Sequence, residues 1–575
     1  MSSQPTEIAR VAEVRGALVR AELLAGVAGT TPQYRGRIYR VGQVGSIVRI
    51  PVGPTDLLGS VITLAIADGP IIRRWLDIQL LGEVDALGVF RRGVSTYPSL
   101  DDPVHFATDD VYSRIFPPPT QLQVPIGRLA SSSASHPVTL DLARLVLRHS
   151  AVLGSTGSGK TSAVASLIQT IAAGGLGRAN IVIIDPHGEY VAALGDLAEV
   201  RSVTADGGLR VPYWALGLDD LLRVFAAPGL VEPIARNAIS DLVREEREKF
   251  LRALDDPWFP PEAVTADTPT PFDMRKVWFE LDKRNRATYS EKPGEPPQVP
   301  LVDEEGDAAT LKPTRFRPYN TSNLPPHRGL LYGHFGSVPG RILARLADPR
   351  FRFLSATHPE GTDDQLPSLM AEWLGGSRPV SILDFAGIPS GVADVAIGVV
   401  LSLLFEAAVH SPLDSGIGRA RPVLIVLEEA HRFIGPTVAS PLAQSAVERI
   451  AREGRKHGVG LMLVSQRPGE LSPTAVAQCG TIVSLRLTNP GDQGVVRAAL
   501  PDTLAGLADL LPSLRTGEGL IAGEAIALPA RVAIRRPSPE PRASDPSLES
   551  WIGEPAVNEL GVAVKRWRGR LRGDT

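Results

Sequence analysis

The feature that most constrains this chain is a glycine-rich stretch, SAVLGSTGSGKTSAV, at residues 150–164. A short apolar run precedes its first glycine and helix-forming residues follow its lysine, so the chain must pass from a buried strand through a tight loop into a helix. Glycines allow backbone amides to turn toward an anion, and the N-terminus of the next helix favours negative charge. The spacing G-x-x-x-x-G-K-[ST] therefore predicts a phosphate-binding loop inside an α/β fold.

The polar side chains of this loop have predicted roles in binding ATP. Lys160 should reach the β- and γ-phosphates, and the hydroxyl of Thr161 should hold Mg²⁺. ATP and Mg²⁺ are therefore the predicted cofactors. The predicted nucleotide-binding residues are Gly154, Ser155, Thr156, Gly157, Ser158, Gly159, Lys160, Thr161 and Ser162.

The sequence after Leu140 alternates apolar runs with helical patterns, which is typical of a parallel sheet covered on both faces. In such sheets ligands bind at the carboxyl ends of the strands. Polar residues that follow an apolar run are therefore candidate site residues. The runs are found in HSAVLG, ANIVIIDPHGEY, VSILDFAGIP, RPVLIVLEEAH and VGLMLVSQRP.

Composition shifts along the chain predict several parts. Residues 8–116 contain short β-branched runs separated by glycine and proline, which predicts a small antiparallel barrel. A Pro- and Ser-rich segment after it predicts a linker. The predicted parts are an N-terminal β-barrel (1–117), a linker (118–139), an ATPase core (140–215 and 377–535), a mostly helical insertion (216–376) and a C-terminal tail (536–575).

Two adjacent carboxylates, Glu428 and Glu429, end the apolar run VLIVL. Hydrolysis of the γ-phosphate needs one acid near the metal and one to polarise the attacking water. We assign Glu428 to the metal and Glu429 to the water. A charged pair that caps a strand can also be only a solvated turn, and the phosphate loop is what favours the catalytic interpretation.

Charge and hydropathy limit the function classes. Hydrophobic residues make up 43% of the chain and charged residues 21%, as in ordinary globular proteins. The net charge of −3 means that any nucleic-acid surface must be local. Runs such as SVITLAIA and PVLIVL are shorter than the roughly 20 residues that cross a bilayer, and the N-terminus does not resemble a signal peptide. We therefore expect no membrane association and a cytoplasmic location.

The motifs GSTGSGKT, DPHGEY, ILDFAGIP, LEEAH, REGRKHG and SQRP, in that order, resemble the HerA family of hexameric DNA translocases, relatives of the FtsK motors. The likeness spans about residues 120–535, and the β-rich segment before it is similar to the small barrel of that family. It implies a RecA-like core. The family usually has Asp then Glu where this chain has Glu428 then Glu429, so the metal geometry is expected to differ slightly.

The resemblance also implies a ring in which each ATP lies between neighbouring subunits and meets an arginine of the next subunit. Arg455 is the first candidate for that role and Arg452 the second. These two residues also recur with Arg449 and Lys456 at helical spacing, so a solvated helix face is the alternative. Arg148, just before the phosphate loop, is a candidate to approach the nucleotide of its own subunit.

Other polar residues follow the strand ends of the same core. Gln466, after LMLVS, fits a sensor that hydrogen-bonds the attacking water or the γ-phosphate. Asp185, His187 and Glu189 of DPHGEY are accessory candidates, which organise the site or contact the neighbouring subunit.

Double-stranded DNA is the substrate that the resemblance implies. The chain need not be basic for this, because a ring can present a few basic residues to the DNA phosphates six times over. Loops near residues 204–210 or 432–440 would line the pore. The final VKRWRGRLRGDT could touch DNA, latch onto the adjacent subunit or be a solvated helix end.

HerA-like proteins work with nucleases of the NurA type in DNA end processing, and bacterial relatives pair with nuclease or sirtuin-like effectors in anti-phage defence. The barrel is the expected docking surface for such a partner. The alternative function is a hexameric scaffold whose nucleotide state assembles and activates an effector without sustained translocation. A secretion ATPase is a third, weaker interpretation.

Overall fold

The computed structural model of this chain contains a β-barrel, a large mixed sheet with helices on both faces, and an inserted, largely helical region. The residues that it describes are 6–24, 27, 33–35, 37–39, 43–67, 73–130, 136–176, 179–203, 208–226, 231–322, 324–351, 354, 364–374, 376–435, 441–500, 502–542, 552, 560, 561 and 564.

Within the described residues, six antiparallel strands close into the predicted N-terminal barrel. The order β1-β2-β7-β6-β5-β9 returns to β1, so the barrel leaves no open edge along these strands. Its interior is apolar, with side chains such as Val19, Val48 and Ile78 fully buried. The strands are β1 (Glu7–Arg15), β2 (Leu18–Leu23), β5 (Ile47–Val52), β6 (Thr55–Ala67), β7 (Arg73–Val84) and β9 (Pro103–Phe106), with β8 (Phe90–Arg92) beside β7 and a separate pair, β3 (Gln33–Tyr34) and β4 (Arg37–Ile38).

The second sheet has eleven strands in the described part of the chain, and seven of them are parallel neighbours. The order is β11-β10-β24-β23-β22-β12-β21-β20-β13-β19-β14, and the first four strands are joined by antiparallel pairing. This is the predicted RecA-like architecture. The strands are β10 (Gln123–Leu129), β11 (Pro137–Asp141), β12 (Ser150–Leu153), β13 (Asn180–Asp185), β14 (Ala198–Ser202), β19 (Val380–Asp384), β20 (Val423–Leu427), β21 (Val459–Ser465), β22 (Thr481–Ser484), β23 (Glu518–Gly523) and β24 (Ala530–Ile534).

Both faces of the parallel strands are buried because successive side chains point to opposite faces. In β12, Ala151 and Leu153 belong to one apolar cluster, which includes two long helices, while Val152 belongs to a second cluster with the helix that follows it. The helices around this core are α1 (Asp109–Ile115), α2 (Leu142–Leu147), α3 (Lys160–Ala173), α4 (Val191–Leu194), α10 (Ser390–His410), α11 (Pro441–Glu453), α12 (Pro473–Ala477) and α13 (Pro490–Ala499).

The predicted linker at 118–139 is wrong, because much of it belongs to the large sheet. Residues 123–129 and 137–141 pair with each other as β10 and β11, and β10 also pairs with β24. The prolines and serines of this segment suggested a linker, but Val124 and Ile126 alternate with less buried residues in β10, and Val138 of β11 is fully buried in the core. Sheet pairing therefore overrides the local composition.

The region from 216 to 376 is an insertion between strands of the large sheet. It contains five helices and two small two-stranded sheets within its described residues. Its core is continuous with that of the ATPase sheet, since Trp278 and Trp373 are buried in the same apolar cluster as Leu153. The elements are α5 (Leu218–Phe225), α6 (Pro233–Arg252), α7 (Met274–Arg286), α8 (Val338–Ala347), α9 (Leu366–Trp373), β15 (Thr288–Tyr289), β16 (Val302–Glu304), β17 (Arg315–Phe316) and β18 (His327–Arg328).

Helix α10 is long and apolar enough to cross a membrane by length and composition. In the structure 78% of its apolar window is buried inside the protein. A helix that is apolar on all sides is expected in a protein core. Here α10 packs against α11 and the sheet.

His149 lies directly before β12 and makes the fold sensitive to acid. Its backbone has φ 51°, its side chain is 4% exposed, and its Nδ1 accepts the backbone N–H of Leu461 at 3.0 Å. Burial lowers its pKa from 6.5 to about 4. The unfolded histidine thus binds its proton at a higher pH than the folded one, so its contribution to stability is complete above pH 6.5 and is lost as the pH falls toward 4.

We expect this group alone to reduce the free energy of unfolding by about 3 kcal/mol between pH 7 and pH 4. Urea denaturation at both pH values would measure the loss. His149→Asn is the matched control, since asparagine tolerates positive φ and can accept the same hydrogen bond without titrating. An equal loss of stability in both proteins would contradict the prediction.

Candidate nucleotide-hydrolysis site

The predicted phosphate loop connects β12 to α3 and has no room for larger side chains at its first glycine. A Cβ at Gly154 would lie 2.5 Å from Oγ of Ser158 and 2.9 Å from Cβ of Leu485. Gly159, just before α3, has φ 100°, a conformation that L-residues with a Cβ rarely adopt. The loop therefore needs glycine at both positions, as the motif predicts.

Lys160 begins α3 and is buried in a polar pocket. It is 8% exposed, and its Nζ donates to the carbonyl oxygen of Ser155 at 3.3 Å. Burial lowers the pKa of Lys160, while the carboxylates of Glu428, Glu429 and Glu189 act to raise it. A buried ammonium with acidic neighbours is positioned to accept the phosphates of a nucleotide.

Glu428 and Glu429 follow β20, and the backbone turns between them so that they face different partners. Glu428 is 2% exposed and accepts a hydrogen bond of 2.5 Å from the hydroxyl of Tyr190. Burial raises the pKa of Glu428 to about 8. Glu429 has φ 51°, a strained conformation for a residue with a side chain, and strain of this kind clusters at functional sites.

The carboxylate of Glu429 has an oxygen that is available to a ligand. Its Oε2 is buried 3.2 Å from Nδ1 of His431, but that contact lacks hydrogen-bonding geometry, and the oxygen accepts no hydrogen bond from the described residues. Burial lowers the pKa of His431, which keeps its imidazole neutral near pH 7. Glu429 therefore remains the acceptor in this pair.

Asp185, at the end of β13, organises the loop DPHGEY. It is fully buried and accepts the backbone N–H groups of His187, Gly188 and Tyr190 at 3.2, 2.8 and 3.0 Å. These bonds fold the loop tightly over the strand end, and they leave His187 exposed. Asp185 therefore holds the backbone of this loop in place.

Glu189, from the same loop, lies beside the phosphate loop. Its Oε2 accepts the hydroxyl of Thr161 at 2.8 Å. The residues predicted to hold Mg²⁺, Thr161 and Glu428, supply oxygen donors, as does Glu189. Such hard donors suit Mg²⁺, which is usually held by one or two carboxylates together with substrate phosphates, so the residues present fit the ion.

Gln466 follows β21 and meets the phosphate loop directly. Its Oε1 accepts the hydroxyl of Thr156 at 2.6 Å. A cavity of about 710 Å³ opens beside these two residues, and a salt bridge of 2.7 Å between Arg467 and Glu470 lies on its wall. Gln466 is thus placed where a sensor of the bound phosphates would lie.

A second cavity, of about 270 Å³, lies beside Gly159 and Ser162 at the start of α3. It is lined by Gly517, by Arg536 and by Glu540 from the chain that follows β24. The two cavities therefore leave room on either side of the phosphate loop for the parts of ATP beyond its phosphates.

The predicted role of Arg148 in its own subunit is wrong. Arg148 precedes β12, whereas the phosphate loop follows it, so the two lie at opposite edges of the sheet, separated by a four-residue strand about 13 Å long. Its guanidinium lies 3.6 Å from the carboxylate of Glu524. The prediction relied on the closeness of Arg148 to the phosphate loop in sequence, but residues at the two ends of a strand lie at opposite edges of the sheet.

Arg452 and Arg455 also lie at the amino edge, next to the start of β21, and cannot reach the phosphate loop of their own subunit. Both are exposed, and neither side chain makes a hydrogen bond or ion pair with another described residue. Arg449, one turn earlier, instead pairs with Glu406 and lies over the ring of Phe405. Only the last two arginines of this face are therefore free to meet a partner.

The predicted pore loops are described only in part. Arg210 is half-exposed and pairs with Glu372 at 2.9 Å. Arg432 is less exposed, and its guanidinium lies 3.7 Å from Asp394, so it faces a neighbouring helix. Residues 204–207 and 436–440 of these loops, and the basic end of the tail after Val564, lie outside the described residues.

Sequence reasoning missed Tyr190 and His431 as members of the site. Tyr190 is 238 residues from Glu428 in the chain, so no local pattern connects them. Both residues do occur inside the motifs DPHGEY and LEEAH, Tyr190 directly after Glu189 and His431 two residues after Glu429. Their positions in those motifs were the available signal.

Known proteins resemble this chain over most of its length. The family described as Helicase HerA, central domain (DUF87) matches residues 124–292. The probable helicase MJ1565 of Methanocaldococcus jannaschii is 24% identical over 86% of this chain and 86% of its own length. The DNA double-strand break repair helicase HerA of Pyrococcus furiosus is 27% identical over 69% of this chain and 67% of its own length.

Among solved structures, VirB4 of Thermoanaerobacter pseudethanolicus aligns with 73% of this chain and 97% of its own, at 14% identity and a TM-score of 0.46. The matched family begins at β10 and includes both the phosphate loop and DPHGEY. Together with the relatives and the assembled phosphate-loop site, this match identifies the chain as a HerA-like P-loop ATPase, an enzyme that hydrolyses ATP.

Proposed function

We propose that this ATPase acts in the cytoplasm as a homo-oligomeric ring, a hexamer, that moves along double-stranded DNA. The observation that carries the proposal is the position of Arg452 and Arg455. Both are exposed, at the edge of the sheet opposite to their own phosphate loop, about 20 Å away. An arginine that stabilises phosphoryl transfer can be supplied by another subunit. A neighbouring copy would use these two guanidinium groups in that way.

Each ATP would then lie between two subunits. One subunit supplies Lys160 to the β- and γ-phosphates and holds Mg²⁺ with Thr161 and Glu428, and the ion withdraws charge from the phosphates when bound. Glu429 polarises the attacking water, and Gln466 contacts the γ-phosphate. The wall of the 710 Å³ cavity beside the phosphate loop carries the ion pair of Arg467 and Glu470.

DNA is the proposed substrate because relatives of this chain are named DNA double-strand break repair helicases. The chain has a net charge of −3, so the DNA path has to be a local feature repeated by the ring. Arg210, after β14, is the described pore-loop cation with the greater exposure.

We also propose that the barrel binds an effector, either a nuclease for DNA end processing or a nuclease, sirtuin-like or other effector in anti-phage defence. The end of β6 supports this surface. Leu64 and Ile66 are 49% and 67% exposed, and they lie two residues apart on one face of the strand. Exposed apolar residues that cluster often mark protein interaction sites.

The alternative function is a nucleotide-regulated scaffold, and one contact favours it. Arg92 of the barrel donates to the carbonyl oxygens of Ala527 and Gly523 in the ATPase sheet, at 2.9 and 2.7 Å. The barrel is therefore attached to the sheet that carries the phosphate loop, and an effector on it could respond to nucleotide without DNA movement.

We expect duplex DNA to accelerate ATP hydrolysis and ATP to drive displacement of a third strand from a triplex. Arg210→Glu should reduce the DNA stimulation several-fold and leave the DNA-free rate unchanged, because it replaces a phosphate contact with a repulsive charge. Phosphate release with and without duplex, together with triplex displacement, would measure both effects.

Glu372→Gln is the matched control, since it breaks the ion pair of Arg210 and keeps the arginine. Hydrolysis that duplex DNA does not change would reject translocation. It would favour the scaffold, particularly if a Glu429→Gln ring still activates the partner. Unchanged DNA stimulation in Arg210→Glu would reject the predicted pore loop alone.

A further inference from the structure

The acid next to the Thr161 hydroxyl is not the one that the strand-end motif suggests. Thr161 Oγ1 donates to Oε2 of Glu189 at 2.8 Å. The side chain of Glu428 ends instead at the hydroxyl of Tyr190, 2.5 Å from Oε2. Two carboxylates from different strands therefore face the position next to Thr161 and Lys160, and the nearer one belongs to the loop after β13.

Glu189 is held in this position by its own backbone. The amides on either side of it, those of Gly188 and Tyr190, donate to the buried carboxylate of Asp185. Its carbonyl oxygen accepts the N–H of Arg542, from the chain that follows β24. A side chain anchored on both sides of its backbone is a fixed part of the site, unlike a surface acid that happens to reach a hydroxyl.

Tyr190 places the second carboxylate. It is fully buried, and its hydroxyl bonds to Glu428, which is 2% exposed. No described residue other than Tyr190 donates a side-chain hydrogen bond to the carboxylate of Glu428. Glu428 is therefore fixed by Tyr190, while Glu189 is the acid that bonds to Thr161.

We propose that Glu189 is a magnesium-side carboxylate of this ATPase, acting with Thr161, and that Tyr190 is a positioning residue for Glu428. This inference rests on the Mg-ATP site of the proposed function and is independent of DNA and of the ring. Carboxylates that bind Mg²⁺ directly or through its water ligands are the usual protein contribution to such sites.

A competing role for Glu189 makes the opposite prediction. Its carboxylate lies at the N-terminus of α3, where an anion is favoured, and could simply fill the place of a phosphate. In that case its removal would strengthen nucleotide binding and leave metal affinity unchanged.

The test uses Mn²⁺ in place of Mg²⁺, with free Mn²⁺ measured by electron paramagnetic resonance during titration of the full-length protein bound to a non-hydrolysable ATP analogue. We expect Glu189→Gln to weaken Mn²⁺ binding about tenfold or more, the effect typical of losing a ligand or its hydrogen-bonded support. Binding of the analogue in EDTA should stay the same as for the wild type. Tyr190→Phe should weaken Mn²⁺ binding less.

Glu199→Gln, a change at a half-exposed glutamate on β14 that pairs with Arg378, is the control. Glu189→Asp keeps a carboxylate and should retain more Mn²⁺ affinity than Glu189→Gln, which separates a metal effect from a folding defect. Wild-type Mn²⁺ affinity in Glu189→Gln, or tighter binding of the metal-free analogue, would overturn the inference. Failure of the wild-type protein to bind the analogue at all would instead overturn the nucleotide site itself.

Discussion

Replacing Glu429 with glutamine is expected to lower ATP turnover by about 10²- to 10⁴-fold, the range typical of losing a general base. The carboxylate oxygen Oε2 is buried and accepts no hydrogen bond from the described residues, so it is free to accept one from water. An amide of the same size keeps the packing but cannot take a proton. Phosphate release in a single turnover would measure the rate, and fluorescence of a labelled ATP would show that affinity is retained.

Glu262→Gln, an exposed change in the insertion, is the matched control and should leave turnover unaltered. Turnover close to wild type in Glu429→Gln would assign the base elsewhere, and His431 would be the next residue to examine because it lies beside the same carboxylate.

The second large effect is expected from replacing Arg452 and Arg455 together with alanine. Loss of an arginine that stabilises the transferring phosphoryl group costs about 10³- to 10⁵-fold in turnover. The two side chains are exposed and make no hydrogen bond or ion pair with other described residues, so the change should not affect folding. ATP hydrolysis should fall by at least about 10³-fold, while ATP binding to the phosphate loop persists.

Mixing subunits distinguishes a shared site from an indirect effect. The double arginine variant keeps Lys160 and Glu429, and the Glu429→Gln variant keeps both arginines. If neighbours share each ATP, about one interface in four of a random mixture combines the intact halves and recovers activity. A mixture as inactive as its components, or full turnover in a monomeric double variant, would contradict the ring.

The phosphate loop could be predicted from sequence because its constraint is local. Gly154 has no space for a Cβ and Gly159 requires a positive φ, so both positions are restricted within ten residues of chain. The acids of β20 were also predictable, since strand ends of a parallel sheet meet at one edge. These parts of the site need no knowledge of distant contacts.

Other features depend on contacts that a single sequence does not reveal. Arg148 is six residues from Gly154, yet the intervening strand places it at the far edge of the sheet. The segment around Val138 has the composition of a linker but pairs with strands that include residues near 530. The hydroxyl of Tyr190 was not predicted to meet Glu428 because only the order of strands brings them together.

The attachment of the barrel to the ATPase sheet has a mechanical consequence. Arg92 donates hydrogen bonds to the carbonyl oxygens of Gly523 and Ala527. Gly523 ends β23, which pairs with β22, and β22 pairs with β12, the strand that leads into the phosphate loop. The barrel and the phosphate-loop strand are therefore connected through Arg92 and two intervening strands. A molecule bound to the barrel would thus be linked through Arg92 to the sheet that carries the phosphate loop.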